Sequence, residues 1–211
     1  RMLSNSSVAI EQIKKEVMRL SDISMDAFNS AYNSFLSRKT SSLDNVQELI
    51  SNSNELSKAI TDFLIKTSAT TNTNKEEFTI SNIHNNIGDI MRISEIADNF
   101  IKYTKKEVSD DLRFSQEILD KINLMVEKIN LLHSLTKDAV LNNNFSVLNK
   151  IDLVEEDIDT MRKELIDEHI ERLNTGKCRT ENSSIFINLV SNLERLGDHL
   201  TYIAYTIKPA N

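Results

Sequence analysis

The segment Ser191–Ile207 reads SNLERLGDHLTYIAYTI and predicts a long amphipathic helix. Its apolar stripe, with alternating spacings of three and four residues, consists of Leu193, Leu196, Leu200, Ile203 and Ile207. Glu194 and Asp198 lie four residues apart on a different face of the same helix. Two carboxylates at that spacing repel each other, at a cost of about 0.2–0.5 kcal/mol in an isolated helix. The segment therefore pairs a buried stripe with two acids that a cation would stabilise.

The composition of the whole chain favours an all-α protein. Its 211 residues include three Gly and one Pro, and no regular alternation of apolar and polar residues predicts strands. A formal charge of −7 argues against unaided nucleic-acid binding, which needs basic surface to displace phosphate counterions. The single cysteine, Cys178, excludes an internal disulfide and is typical of a reducing, intracellular setting.

Neither a membrane span nor a secretion signal is evident in the sequence. No stretch approaches the roughly 18 to 20 apolar residues that cross a bilayer. The chain opens with Arg1-Met2-Leu3 in the manner of a helix interior. We interpret this opening either as a tag remnant before Met2 or as the edge of a longer protein.

Apolar periodicity predicts six long antiparallel helices with short polar connections. Thr40-Ser41-Ser42 supplies N-cap candidates for the second helix, and Gly176 stands at the expected capping position after the fifth. Phe63 and Phe78 are assigned to the buried stripes of the second and third helices. The predicted helices run from about Val8 to Ser37, Leu43 to Ser68, Lys75 to Glu107, Leu112 to Leu141 and Ser146 to Leu173, and from near Ser183 onward.

An internal repeat relates the two halves of the chain. A shift of about 102 residues lays Leu43–Leu56 on Phe145–Ile158, and a shift of 103 lays Ile90–Ile101 on Leu193–Ala204. Because separate helices give nearly equal offsets, duplication explains the match better than chance. The sequence predicts two tandem three-helix bundles, residues 1–108 and 109–211, packed along their length.

A second acid pair, Glu155 and Asp159, lies on the preceding predicted helix. Together with Glu194 and Asp198 it gives two i,i+4 pairs at matching repeat positions. Carboxylate oxygens that bridge two helices suit Mg²⁺, Ca²⁺ or Mn²⁺, and iron also accepts them. A solvated charged face is the alternative interpretation. The four acids are therefore candidate ligands for a divalent or iron-type metal ion.

The first half offers a weaker counterpart of this set. The repeat places Ser53, Ser57, Met91 and Glu95 at the four positions, with Asn99 one turn further on. One carboxylate and one amide make a poor cation site. We expect the first half to bind metal weakly or not at all.

No catalytic constellation is evident. His199 follows Asp198, but adjacent helical residues point about 100° apart. No Glu precedes a His by three residues, and HExxH and Walker motifs are absent. Cys178 lies near no obvious base. The sequence predicts a protein that is not an enzyme.

ERLGD, residues Glu194–Asp198, resembles the ERIGD-type motif of PhoU proteins, bacterial phosphate-response regulators built as two three-helix bundles. RISE, residues Arg92–Glu95, followed by Asn99, resembles a decayed first copy. Glu155 and Asp159 match the helix-five member of the family's E(D)xxxD motifs. The resemblance implies a metal role for these residues, because such motifs hold multinuclear metal clusters in some PhoU proteins.

A narrower resemblance concerns HIERLNTGKC, residues His169–Cys178, followed by LVSNLERLGDH. This stretch resembles the PhoU-like cytoplasmic domain of bacterial Na⁺/phosphate cotransporters of the type II-related family. Tyr202 departs from the motif, which usually carries Asn there.

The narrower resemblance implies a regulatory domain at the cytoplasmic face of the bacterial membrane, coupling phosphate status to transport. Its partner would be a membrane-embedded transporter portion of the same polypeptide, absent from this chain. Alternatives are a free-standing PhoU-type regulator, which contacts an ABC phosphate transporter and a sensor kinase, and a structural helical bundle. Whether the chain forms a homodimer stays open. Direct phosphate binding also stays open, since residue spacing reveals no basic pocket.

Overall fold

The computed structural model describes residues 5–177 and 180–209, which form six α-helices and one 3₁₀ turn, without strands. The helices are α1 (Asn5–Ser37), α2 (Leu43–Ser68), α3 (Asn74–Ser109), α4 (Gln116–Asn142), α5 (Leu148–Asn174) and α6 (Thr180–Tyr205), with the 3₁₀ turn Phe145–Val147 before α5. The predicted all-α class and helix order are confirmed. Cys178 and Arg1-Met2-Leu3, on which two predictions fall, lie outside the described residues.

The predicted starts of α4 and α5 lie too early in the chain, and side-chain capping explains both differences. The predicted starts of α1 and α6, near Val8 and Ser183, lie three residues after the observed ones. The Ser115 hydroxyl accepts a hydrogen bond from the Ile118 backbone N–H at 3.3 Å, so α4 begins after Ser115 rather than at Leu112. Asn144 caps the 3₁₀ turn through a 3.1 Å bond from the Ser146 N–H, which delays α5. In these caps, a polar side chain competes with the helix for backbone hydrogen bonds, and apolar periodicity does not reveal such competition.

The end of α5 agrees with the prediction. Gly176 has φ of +70°, a left-handed conformation that costs glycine little. The Gly176 N–H donates to the Leu173 carbonyl at 3.2 Å and the Lys177 N–H donates to the Arg172 carbonyl at 2.9 Å. These two bonds satisfy carbonyls that the helix end would otherwise leave unpaired.

The hydrophobic core extends through both halves of the molecule. Helix α1 packs on α2 and α3, α4 packs on α5 and α6, and the halves meet through α3 with α6 and α1 with α4. Phe28 and Phe100 stack edge to face at 5.4 Å inside the larger core cluster. That cluster contains buried residues of all six helices. The division at residues 108 and 109 stays a prediction.

Two aromatic residues assigned to buried stripes are exposed instead. Phe63 is 50% exposed and Phe78 is 39% exposed. Helix α2 packs only against α1 and α3 among the described helices, so its outer flank faces solvent. Apolar periodicity predicts that Phe63 belongs to the buried stripe, and this prediction is wrong. Over residues 5–177 and 180–209, no helix combines the length and the apolar character that crossing a lipid bilayer requires.

Candidate metal centre

Three of the four predicted ligands converge where α5 meets α6. Asp159 on α5 and Glu194 and Asp198 on α6 each offer a carboxylate oxygen, and these oxygens all lie within 4.8 Å of one another. Asp159 is exposed, while Glu194 and Asp198 are partly buried. The acidic cluster, as we call these three residues, therefore spans two helices and opens toward solvent.

Gly197 lies where α6 meets α5 beside the acidic cluster. A Cβ at Gly197 would lie 3.5 Å from Cδ1 of Ile158, and Ile158 directly precedes Asp159 on α5. That is an ordinary van der Waals distance, so α6 packs directly against Ile158 at this point. Asp198 and Asp159, each one residue further along, are brought to the same flank.

Glu155 is not one of the three converging ligands, but it forms a hydrogen bond with one of them, Asp198. Burial, a hydrogen bond to Asp198 and the charges of Asp198 and Asp159 together raise the pKa of Glu155 to about 7. A carboxyl with that pKa is about half protonated at neutral pH. Glu155 thus relieves part of the negative charge by holding a proton.

Arg162 provides a protein cation beside the acidic cluster. Its Nε forms an ion pair with Oε2 of Glu194. Burial raises the pKa of Glu194, while Arg162 opposes that shift. Burial and the charge of Asp198 also raise the pKa of Asp159. Three carboxylates against one guanidinium leave the cluster with net negative charge.

The three carboxylates fit a hard divalent cation. Two oxygens that bind one ion at about 2.0–2.6 Å lie at most about 5 Å apart. The three oxygens, each within 4.8 Å of the others, meet that bound. The second oxygen of Glu194 can keep its bond to Arg162 while the first faces the ion. Asp159, Glu194 and Asp198 would hold the cation, and Glu155 would orient Asp198 from outside.

The equivalent positions of the first half do not assemble ligands. Glu95 is exposed and pairs with Arg92 at 3.0 Å, and Asn99 is partly buried. Ser53 is buried and its hydroxyl lies 2.9 Å from that of Ser94. Within residues 5–177 and 180–209, the acidic cluster is the one group of three Asp, Glu, His or Cys ligands that converges.

His199 faces away from the acidic cluster, as helix geometry predicts. Its Nδ1 lies 2.9 Å from Oδ1 of Asp89 on α3, and the Tyr202 ring meets it edge on at 5.9 Å. This contact joins the two halves of the molecule. Sequence reasoning missed Asp89, because no spacing within one helix connects it to His199.

Comparisons with known proteins agree with this architecture. The PhoU domain family model matches residues 122–207, which contain the whole acidic cluster. The crystal structure of PhoU from Pseudomonas aeruginosa aligns with a TM-score of 0.85 at 15% identity, covering 95% of this chain and 96% of that one. The fold is the PhoU fold. The phosphate transport system regulatory protein PhoU from Streptococcus pneumoniae aligns at 0.81 and 15% identity, covering 96% and 95%.

The predicted resemblance to PhoU proteins is thus confirmed for the fold and for the domain over residues 122–207. A comparison with curated protein sequences gives no match. The narrower link to Na⁺/phosphate cotransporters, based on residues 169–199, stays a prediction. The PhoU fold places the ERLGD motif on α6 against α5, where its two acids meet Asp159.

Proposed function

We propose that this chain is a PhoU-type regulator of phosphate uptake and signalling, not an enzyme. The carrying observation is the extent of the structural match, which spans 96% and 95% of the two solved PhoU chains. One of those proteins is described as a phosphate transport system regulatory protein. The regulatory protein among the structural matches supports the general regulator, whereas the cotransporter domain is supported only by the resemblance of residues 169–199.

The regulator acts through its helix surfaces at the cytoplasmic face of the membrane. Its partners are a phosphate transporter and a sensor kinase, which read the state of the bundle through helix–helix contacts. The acidic cluster supports such a role, because a cation there joins α5 to α6 and stiffens one flank. When bound, the ion supplies the positive charge that Asp159, Glu194 and Asp198 otherwise lack.

The function is tested by deleting the gene and measuring uptake of radiolabelled phosphate in cells grown with scarce and with plentiful phosphate. We expect the deletion strain to lose the fall in uptake that plentiful phosphate causes. Re-expression of the chain restores it. A matched strain carries Arg19→Gln, an exposed position on α1 that pairs with Glu16, and should regulate normally.

Unchanged uptake in the deletion strain under both conditions contradicts the proposal and favours the structural helical bundle. Restored regulation by the chain expressed alone argues against the cotransporter domain, which requires its membrane portion in the same polypeptide. Both outcomes are read in cells and do not depend on metal binding.

A further inference from the structure

A second site lies at the end of the bundle where α4 begins, α5 ends and α6 begins. A cavity of about 370 Å³ opens there, far along α5 and α6 from the acidic cluster. Basic, amide and aromatic side chains line it together, among them Arg113, Arg172, Lys177, Asn182 and Phe186. We call it the end cavity. No residue of the end cavity belongs to the acidic cluster.

Arg172 brings to the end cavity a partly buried guanidinium that forms no ion pair within residues 5–177 and 180–209. Its Nε and Nη2 atoms are buried and have no hydrogen-bond partner in the part of the chain that the structure describes. Burying guanidinium donors without an acceptor is costly, so such groups usually meet an anion or water. The neighbouring His169 adds no second charge at neutral pH, because burial and Arg172 lower its pKa. Arg172 therefore offers two donors to a ligand.

Asn182 brings an unpaired acceptor to the same cavity. The residue is 8% exposed, and its Nδ2 donates to the Arg113 backbone carbonyl at 3.0 Å. That bond fixes which end of the amide is nitrogen. The Oδ1 atom is buried and has no donor among the described residues. A ligand in the end cavity that accepts from Arg172 and donates to Asn182 would pair both side chains.

The remaining charges around the end cavity are mainly positive. Lys177 is exposed at the rim and forms no ion pair within residues 5–177 and 180–209. Arg113 shares its charge with Asp111 at 3.2 Å. The positive end of the α4 helix dipole, capped by Ser115, also lies in the lining. A basic site on a chain with net charge −7 selects for an anion rather than a neutral solute.

We propose that the end cavity binds a hydrogen phosphate group. Its oxygens accept from Nε and Nη2 of Arg172, and its remaining P–O–H group donates to Oδ1 of Asn182. Sulfate and simple carboxylates carry no proton at pH 7 and leave Asn182 unpaired. The source is either inorganic phosphate or a small organic phosphate whose remainder packs on Phe186. A phosphate monoester has a second pKa near 6, so only its singly protonated form, about a tenth of the total at pH 7, supplies this donor. That this site senses phosphate for a regulator rests on the proposed function. That it binds phosphate rests on the unpaired atoms of Arg172 and Asn182.

The proposal is tested by calorimetric titration of the purified chain at pH 7 and low ionic strength. Three ligands are compared, namely potassium phosphate, AMP and sodium sulfate. We expect phosphate or AMP to bind about five- to a hundredfold more tightly than sulfate, because sulfate leaves a buried acceptor unpaired. Tighter phosphate identifies the free ion as the source, and tighter AMP identifies an organic phosphate. Equal binding of sulfate, or no binding of any ligand, overturns the proposal.

Matched variants locate the binding. Arg172→Gln should weaken phosphate binding by about ten- to a hundredfold, since it removes a charged hydrogen-bond partner. Arg172→Lys keeps the charge without the planar guanidinium, so its phosphate affinity should lie between those of the original chain and Arg172→Gln. Arg19→Gln on α1 is the control and should bind as the original chain does. Binding that survives Arg172→Gln unchanged contradicts the assignment.

Asn182→Leu gives a second, independent readout. It removes the acceptor, so phosphate should lose its advantage over sulfate while Arg172 still attracts both ions. Circular dichroism establishes that each variant is folded, and the Arg172 series stands by itself if Asn182→Leu unfolds. Absence of binding in these titrations leaves the cellular test of the proposed function intact, and a failed cellular test leaves the titrations interpretable.

Discussion

The two halves of the chain place chemically different residues at equivalent positions of the repeat. In the first half, the Ser94 hydroxyl lies 2.8 Å from that of Ser24 and 2.9 Å from that of Ser53, all three buried. The repeat places Ser53 at the position of Glu155 and Ser94 at that of Gly197. The second half therefore replaces a neutral hydroxyl pair with a carboxyl and a glycine beside the acidic cluster.

This difference shows how a duplicated bundle divides its roles. Hydroxyl groups act as both donor and acceptor, so the serine network is complete within the protein. Ionised carboxylates only accept, so the acidic cluster depends on Arg162, on a proton at Glu155 or on a cation. One half is self-sufficient, and the other is predicted to respond to metal.

The largest expected effect is on stabilisation by Mn²⁺, which we expect to depend on the acids of the second half and not on those of the first. The double variant Asp159→Asn with Asp198→Asn should abolish stabilisation by Mn²⁺. In the original chain this stabilisation is about 2.7 kcal/mol when free Mn²⁺ is a hundredfold above its dissociation constant. Without metal the double variant should be slightly more stable, because like charges are removed. Thermal unfolding with and without Mn²⁺ measures both effects.

The control for the metal test is Glu95→Gln, the first-half equivalent of Asp198→Asn. Its response to Mn²⁺ should match that of the original chain. Equal Mn²⁺ stabilisation of the double variant would show that the ion binds elsewhere. No Mn²⁺ or Fe²⁺ effect on any of the three proteins would favour a solvated acidic face.

The serine network is tested by Ser94→Ala. Two buried hydroxyls lose a partner, and we expect a loss of about 2 kcal/mol in the free energy of unfolding, measured with urea. Ser81→Ala, at an exposed position of the same helix, should stay within about 0.5 kcal/mol. A loss in Ser94→Ala no larger than in Ser81→Ala would mean that the network contributes nothing to stability.

Glu107 tests whether the first half also contains a carboxyl that stays partly protonated near neutral pH. It is 2% exposed, and burial raises its pKa to about 7 although Arg38 lies 3.7 Å away. Because the folded pKa exceeds the unfolded one, its contribution to stability is full below about pH 4.5 and is lost as the pH rises through 7. Between pH 6 and pH 8 this loss is about 1 kcal/mol.

Glu107→Gln should remove that part of the pH dependence, as urea unfolding at pH 6 and pH 8 will measure. Arg38 keeps Asp111, at 3.1 Å, as its ion partner, so the variant leaves no guanidinium unpaired. Glu77→Gln, an exposed position on α3, is the control. An identical pH slope in Glu107→Gln and the original chain would disprove a buried protonated carboxyl.

The smallest effect compares the two mid-helix glycines. Gly88 in α3 has no atom within 4 Å of an added Cβ, whereas at Gly197 the Cβ would meet Ile158 at 3.5 Å. Gly88→Ala should therefore stabilise by about 0.5–1 kcal/mol through helix propensity. Gly197→Ala should stabilise by at least as much, because its Cβ would also make an ordinary van der Waals contact with Ile158. Differential scanning calorimetry measures both. A loss of stability in Gly197→Ala would show that α6 lies too close to α5 for a side chain.

Much of the candidate metal centre could be predicted from the sequence, because its acids lie at helical spacings within α5 and α6. The i,i+4 pairs fix a common face on each helix. What they do not fix is the rotation of α5 against α6, which places Asp159 with Glu194 and Asp198 and leaves Glu155 beside them. The exposure of Phe63 escaped prediction for the same reason, since the packing partners of α2 decide which flank is buried.

The sequence by itself determined the helices, their order and the repeat, since periodicity, glycine scarcity and turn residues act over a few neighbouring positions. Only the tertiary structure decided the end cavity. Arg172 and Asn182 lie on either side of a turn, and Arg113 comes from a connection far away in the chain. No local pattern marks their meeting, because burial and hydrogen-bond satisfaction are properties of the packed bundle rather than of any one helix.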